Sequence, residues 1–215
     1  MSEKPKVVVT WDLDDVIVDG TASWLIDHYQ QRFGFDVDPA KFYGTPIDWG
    51  VEGDDWGEIN RRIAPIFEEC GHEVRDLPLS PGSIDAVHGL ANHGEINFEQ
   101  HIVTGRTEKI MAIHTLWLVN EHFNDCFRDI HHTNMFKDDS RSKGEVCRRL
   151  GVAVHVDDHI DHCASVIGNG VPNAIVFDNL PWNKQEQLPY GMVRCSDMTT
   201  AKEEIIRIAA SIVKS

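Results

Sequence analysis

"KVVVTWDLDDVIVDG", residues 6–20, carries an apolar, β-branched run straight into Asp12, Leu13, Asp14 and Asp15. Like charges this close repel, and desolvating them is costly unless something compensates. A buried strand that ends in carboxylates therefore implies a cation, a proton or a reaction at its tip. In an extended segment side chains two apart point the same way, so Asp12 and Asp14 can face one substrate. The plainer reading of the pair is a solvated turn after a strand.

Outward from this stretch, short apolar runs alternate with helical patterns, the signature of a parallel α/β sheet. The predicted strands are Val7–Thr10, Ile96–Thr104, Asp129–His132, Ala153–Val156 and Ala174–Phe177, with Met192–Arg194 as a shorter edge strand. Several are apolar on both faces, as strands covered by helices on each side should be. Helix starts are expected at Ser80-Pro81 and Thr107. Ser142 to Glu145 reads as a capping box and Gly151 as the stop of that helix. Thr200 and Glu203 form a similar box, with Asp197 as a competing start.

Between the first two predicted strands lie about 80 residues, against a few tens in a usual βαβ crossover. Residues 18–78 hold Trp24, Phe33, Phe35, Phe42, Tyr43, Trp49 and Trp56 and include the loop-like "YGTPIDWGVEGDDWG", residues 43–57. An inserted, mostly helical subdomain is expected there. It would project from the C-terminal end of the first strand, the edge where open α/β sheets bind ligands.

Composition narrows the classes. Of 215 residues, 41% are hydrophobic, enough for a substantial core, and the formal net charge is −15. That charge disfavours a long nucleic acid as partner but leaves room for a small anion in a local positive pocket. No apolar run approaches the ~20 residues of a membrane span, so no membrane partner is expected. The N-terminal residues run directly into a strand and read as no signal peptide. Five scattered cysteines without a CxxC fit reduced thiols and a cytoplasmic location.

Four polar clusters each follow an apolar run or open a helix: "DLDDV" (residues 12–16), "VTGR" (103–106), "SKGE" (142–145) and "VDD" (156–158). Segments just after the strands of a parallel sheet gather on one edge. Lys143 would lie at a helix N-terminus, where lysine is electrostatically disfavoured unless an anion is nearby. In this order the clusters resemble the four motifs of the haloacid dehalogenase superfamily of phosphotransferases and phosphatases. The insertion looks like that superfamily's small helical cap. "FDNLPWNK", residues 177–184, looks like the segment after the fifth strand in its 5'(3')-deoxyribonucleotidase branch.

The expected fold is thus a three-layer, Rossmann-like α/β core of residues 1–17 and 79–215, with a helical cap of residues 18–78. Asp12 is the candidate nucleophile and Asp14 the candidate acid and base. A Mg2+ ion would neutralise the crowded carboxylates. The resemblance implies the Asp12 side chain, the Asp14 backbone carbonyl and one of Asp157 and Asp158 as its ligands, with Asp158 favoured by position. Thr104 and the Gly105 N–H would hold phosphate oxygens, and Lys143 would pair with the phosphoryl charge. Arg106 either contacts substrate or makes a surface ion pair. One of Asp157 and Asp158 is also expected to cap a helix. Asp15 stands where the superfamily often has glycine and has no evident role. Because dehalogenases of the superfamily lack the second acid, Asp14 favours phosphoryl chemistry.

The implied activity is a Mg2+-dependent phosphomonoesterase acting on a nucleoside 5'-monophosphate, a deoxynucleotide included. The alternatives are a sugar phosphate, a polynucleotide 3'-phosphate end, or a silent binding protein on the same fold. A homodimer stays open. Phe42, Tyr43, Trp49 and Trp56 lie near the presumed mouth, and Phe42 and Trp49 are assigned to substrate, since base stacking is useful at about 1–3 kcal/mol per ring. His155, His159, His162, Cys163 and the pair His131-His132 would form a zinc site only if three or four of them converged. Satisfied or surface histidines are the plainer expectation.

Overall fold

Val7, Val9 and Trp11 join one hydrophobic cluster, while Val8 joins another on the opposite side of the same strand, β1 (Lys6–Trp11). This alternation with both faces buried is what a central parallel strand requires. The computed structural model describes residues 3–135, 140–177, 180–183 and 187–214. Among them, β1 pairs in parallel with β2 (Asn97–Thr104) on one side and β4 (Val154–Asp157) on the other. With β3 (Phe127–His132), β5 (Asn173–Phe177) and β6 (Met192–Cys195) the sheet has the order β3-β2-β1-β4-β5-β6, all parallel. Strand order reverses between β1 and β4, which opens a crevice at their carboxyl ends.

Six helices complete the described chain around the sheet or its insertion before the last, α7: α1 (Thr21–Phe33), α2 (Trp56–Cys70), α3 (Ser83–Ala91), α4 (Glu108–Phe123), α5 (Lys143–Leu150) and α6 (Ile160–Gly168). Leu90 of α3, Phe123 of α4 and Ile205 of α7 (Met198–Lys214) pack with Val9 and Trp11 on one face. Val146 and Cys147 of α5 and Val166 of α6 pack with Val8 and Val103 on the other. Trp11 Nε1 donates to Gln100 Oε1 at 3.1 Å, and Gln100 Nε2 donates to the Val87 carbonyl at 3.0 Å, so this buried polar pair is satisfied.

The helix starts differ from expectation in two places. α3 begins at Ser83 rather than beside Ser80-Pro81, because the chain first turns through Gly82 at φ +83, a conformation glycine adopts without strain. The Ser80 carbonyl closes that turn by accepting from the Ser83 N–H at 3.0 Å. At α7 the competing start wins: Asp197 Oδ1 accepts from the Thr200 N–H at 2.8 Å, which leaves Thr200 and Glu203 inside the helix. The capping box of α5 and its Gly151 C-cap at φ +67 are as expected.

The chain leaves and re-enters the sheet layer at adjacent points. Asp19 N–H donates to the Pro78 carbonyl at 2.8 Å and Ser80 N–H to the Ile17 carbonyl at 2.9 Å, around the antiparallel bridge Val18–Leu79. The intervening residues have a hydrophobic cluster of their own, in which Leu25, Ile26 and Tyr29 of α1 meet Ile59, Ile63 and Ile66 of α2. Met111 of α4 joins this cluster from the sheet side. The loop-like stretch holds a short 3-10 turn at Pro46–Trp49 and ends where Asp55 caps α2 by accepting from the Glu58 N–H at 2.9 Å.

The five cysteines are unpaired. Among the described residues, no helix is long and apolar enough to cross a membrane.

Gln100→Leu strands the Trp11 indole N–H in the core. It is expected to cost about 1–3 kcal/mol in urea unfolding, with the slope of the transition unchanged. An unaltered midpoint would show that the bond contributes nothing.

Candidate active site

β1 and β4 end side by side, and Asp12 N–H donates to the Val156 carbonyl at 2.8 Å. Asp12 therefore leaves the sheet next to Asp157. Between their carboxylates lies the ammonium of Lys143, 2.7 Å from Asp12 Oδ2 and 2.7 Å from Asp157 Oδ2. Local structure aims this lysine. The Ser142 hydroxyl accepts from the Glu145 N–H at 3.1 Å, which starts α5 with Lys143 as its first residue. Gly144 then lets α5 press on α6, since a Cβ there would collide with the Asn169 side chain and the Ser165 carbonyl.

Asp157 is fully committed. Besides Lys143, Oδ2 accepts from His155 Nε2 at 2.9 Å, and Oδ1 accepts from the His159 N–H at 3.0 Å and His162 Nδ1 at 3.1 Å. The N-cap of α6 is His159, so neither aspartate is the expected cap; Asp157 instead closes the turn just ahead of the helix. Burial would raise its pKa, but Lys143 and the two imidazoles outweigh that and hold the carboxyl well below the usual range. Asp158 is the opposite case. Its Oδ2 accepts from the Tyr43 hydroxyl at 3.2 Å, while its Oδ1 is buried with no partner. Burial, then the neighbouring Asp157 and Asp12, push its pKa well up. The Asp158 carbonyl accepts from Trp182 Nε1 at 3.1 Å and from the Asn183 amide, so the "PWN" segment clamps this residue's backbone. Asp178, Asn179 and Lys184 of the longer "FDNLPWNK" stretch lie outside the described residues.

Asp14 faces the same opening as Asp12. Its carboxylate accepts from Arg106 Nη2 at 2.7 Å, Arg106 Nε at 2.9 Å and the Thr21 hydroxyl at 2.9 Å. Arg106 is neither free nor in a surface pair: it is 6% exposed and its Nη1 donates to Thr115 at 3.2 Å. Burial pushes Asp14 up, but Arg106 outweighs it and lowers the pKa. Asp12 is raised, mainly by burial and against the pull of Lys143. Asp15 gains a role. At φ +57 it turns back and accepts from the Gly20 and Ala22 N–H groups at 3.0 and 2.9 Å, capping the start of α1. Burial and then Asp14 raise its pKa to about 7.

Asp12, Asp14, Gly105, Arg106 and Lys143 form the polar floor of a cavity of about 400 Å³. Phe42, Tyr43, Trp49 and Trp56 of the insertion line it too. Thr104 does not: it is fully buried, and its hydroxyl accepts from the Arg106 N–H at 3.2 Å. Asp157 and Asp158 are likewise fully buried.

The histidines do not converge. His131 Nε2 lies 3.3 Å from His101, His132 binds the Arg106 carbonyl, and the Cys163 thiol donates to the Ile175 carbonyl. Of the six residues considered for zinc, only His162 joins a candidate metal group among the described residues, with Asp12 and Asp157, whose ligand atoms lie within 4.8 Å of one another. His155 supports the site from behind, with Nδ1 2.9 Å from the Thr10 hydroxyl. Its pKa rises to about 9, because Cys147 and Asp157 overcome burial.

That value lies above the unfolded one of about 6.5. The stabilisation is therefore complete below about pH 6.5 and is lost as pH rises through 9. Urea unfolding from pH 6 to 10 is expected to show a loss of up to about 3 kcal/mol that His155→Gln removes. Parallel curves for the two proteins would contradict this.

Comparison with known proteins finds no matching protein-family model and no curated protein that matches by sequence. Solved structures do resemble the chain. A HAD-superfamily hydrolase (subfamily IA, variant 1) from Geobacter sulfurreducens superposes with a TM-score of 0.57 at 16% identity, covering 94% of this chain and 98% of that one. An archaeal β-phosphoglucomutase from a Pyrococcus species gives 0.58 at 12% identity, covering 95% and 99%. A phosphoserine phosphatase in its apo form gives 0.54 at 14% identity, covering 94% and 98%. The chain thus has the Rossmann-like α/β fold of haloacid dehalogenase-type hydrolases.

Proposed function

We propose that the chain is a Mg2+-dependent phosphomonoesterase that works through an aspartyl-phosphate on Asp12, with a nucleoside or deoxynucleoside 5'-monophosphate as substrate. The observation that carries the reading is Asp12 itself: a carboxylate held by Lys143 on the floor of a cavity, with a second acid, Asp14, at the same opening. The structural neighbours named as a phosphoserine phosphatase and a β-phosphoglucomutase support phosphoryl chemistry. Phe42, Trp49 and Trp56 in the cavity wall and the "PWN" segment support a nucleotide.

The donors fit a hard cation. Asp12 and Asp157 share one lysine, and the neighbouring Asp158 Oδ1 is, among the described residues, a buried acidic oxygen left without a partner. Asp12, Asp158 and the Asp14 carbonyl would hold the ion, while Asp157 stays committed to Lys143 and the imidazoles. When bound, Mg2+ supplies charge neutralisation for the carboxylates and the phosphate.

In the first step an Asp12 oxygen attacks phosphorus, the bond to the ester oxygen breaks, and Asp14 gives that oxygen a proton. In the second, Asp14 takes a proton from water, which attacks phosphorus and frees Asp12. Asp14 is charged while Arg106 holds it, so it suits the second step as it stands. A phosphate dianion competes for Arg106. Once Arg106 turns to it, only the Thr21 hydroxyl and Lys143 still oppose burial, so the Asp14 pKa rises, which suits it to be the acid of the first step.

Phosphate release from nucleoside 5'-monophosphates is expected with Mg2+ and not with EDTA. Asp12→Asn should lower kcat by about 10⁴-fold or more, and Lys143→Met by about 10²–10³-fold. Normal turnover by Asp12→Asn would rule out the covalent route.

Arg106→Ala removes the charge that depresses Asp14. The alkaline limb of the kcat/KM profile, set by the acid needed in the first step, is then expected to move to higher pH, and a limb that stays in place would show that Asp14 does not set it.

A further inference from the structure

The cavity has two unlike ends. Its floor is charged, but its far wall is built from Leu25 of α1, Ile59, Ile63, Ala64 and Phe67 of α2, and Met111 of α4. None of these side chains can donate or accept a hydrogen bond, apart from the weak acceptor sulfur of Met111. Three of the polar groups that the insertion turns toward the cavity are already engaged. The Thr21 hydroxyl donates to Asp14, the Tyr43 hydroxyl to Asp158, and Trp49 Nε1 to the Phe42 carbonyl at 3.1 Å. Asp161 and His162 of α6, and His159 just before it, lie on the sheet side of the cavity.

A hydroxyl or ammonium pushed against that wall would lose its water and gain no partner. Such burial costs about 1–3 kcal/mol per neutral group in proteins, and far more for a charge. A flat apolar surface meets the reverse situation, with aliphatic and aromatic side chains on the wall and Trp56, half exposed, at the rim. The volume of about 400 Å³ suits a phosphate with a one- or two-ring group behind it.

We infer that the cavity selects phosphomonoesters whose leaving group presents a planar, apolar ring face to the far wall, an aryl ring or the base of a nucleoside, and rejects leaving groups that present only hydroxyls or charge there. Sugar phosphates and phosphoserine fall in the rejected class. The inference rests on the phosphomonoesterase reading for its turnover measurements but not for its binding measurement.

The test compares kcat/KM for 1-naphthyl phosphate with that for glucose 6-phosphate and phosphoserine. An advantage of about 10²-fold or more for the aryl ester is expected, as for sites that leave polar groups unpaired. Ala64→Phe, which fills the apolar end, should lower the ratio of 1-naphthyl phosphate to acetyl phosphate turnover about tenfold or more. Independently of turnover, calorimetry on Asp12→Asn should give a more negative heat-capacity change for binding 1-naphthyl phosphate than for inorganic phosphate. Equal kcat/KM for glucose 6-phosphate, or equal heat-capacity changes for the two ligands, would overturn the inference. If no ester is hydrolysed but the heat-capacity difference holds, the phosphatase reading fails and the apolar ligand class stands.

Discussion

Lys143 between Asp12 and Asp157 is the contact on which the rest of the site depends. All three groups are almost wholly buried. A buried ion pair adds little net stability, yet removing one partner leaves an uncompensated charge and costs about 3–5 kcal/mol. Nearby elements are arranged to keep the three together. β1 and β4 are hydrogen-bonded neighbours, so Asp12 and Asp157 emerge side by side. The capping box of α5 fixes where Lys143 starts its helix, and Gly144 lets that helix approach α6. His155, from inside β4, holds Asp157 from the far side. In the proposed reaction the same lysine would receive the phosphate at a helix start, where free N–H groups already favour negative charge.

The insertion is joined to this centre at three levels. Asp15 caps α1, so the residue next to the second acid also begins the first inserted helix. Met111 carries the insertion's hydrophobic cluster onto α4. Tyr43 reaches from the inserted loop to Asp158, and its ring sits 3.8 Å from that of His159. The groups that would hold a cation and the walls that would hold a leaving group therefore share side chains. A change in the position of the loop around Phe42 and Tyr43 alters both.

Much of this was legible in the sequence because the signals are local. Each of the four polar clusters ends a strand or opens a helix, and topology alone brings such segments to one edge. The parallel sheet followed from apolar runs alternating with helical patterns, and the α5 cap from Ser142 and Glu145. What escaped was pairing across long separations. Nothing near Arg106 indicates that its guanidinium belongs to Asp14, nor does anything near Tyr43 point to Asp158. His155 reads as a strand residue, and its partners Thr10 and Asp157 become visible only when β1 and β4 are paired. The start of α3 was misplaced because Pro81 is a common first-turn residue, while the turn through Gly82 is a matter of backbone geometry. The physical content of "PWN", two donors on the Asp158 carbonyl, likewise depends on the fold.

The aspartates at this edge have the same side chain and behave differently because their partners differ. Asp14 meets a guanidinium and is pulled down, and Asp157 meets an ammonium and two imidazoles and is pulled down further. Asp12 shares its lysine and is left raised, while Asp158 has a phenol and an empty side and is raised more. Environments that push the pKa values of neighbouring acids apart are how one site separates the roles of nucleophile, proton carrier and ligand. The separation here does not come from the carboxylates, which a strand end could supply to any solvated turn. It comes from Lys143, Arg106 and Tyr43, donated by a helix start, the loop after β2 and the insertion. A site assembled from three distant segments needs all three in place at once, so its chemistry depends on the whole fold rather than on any one motif.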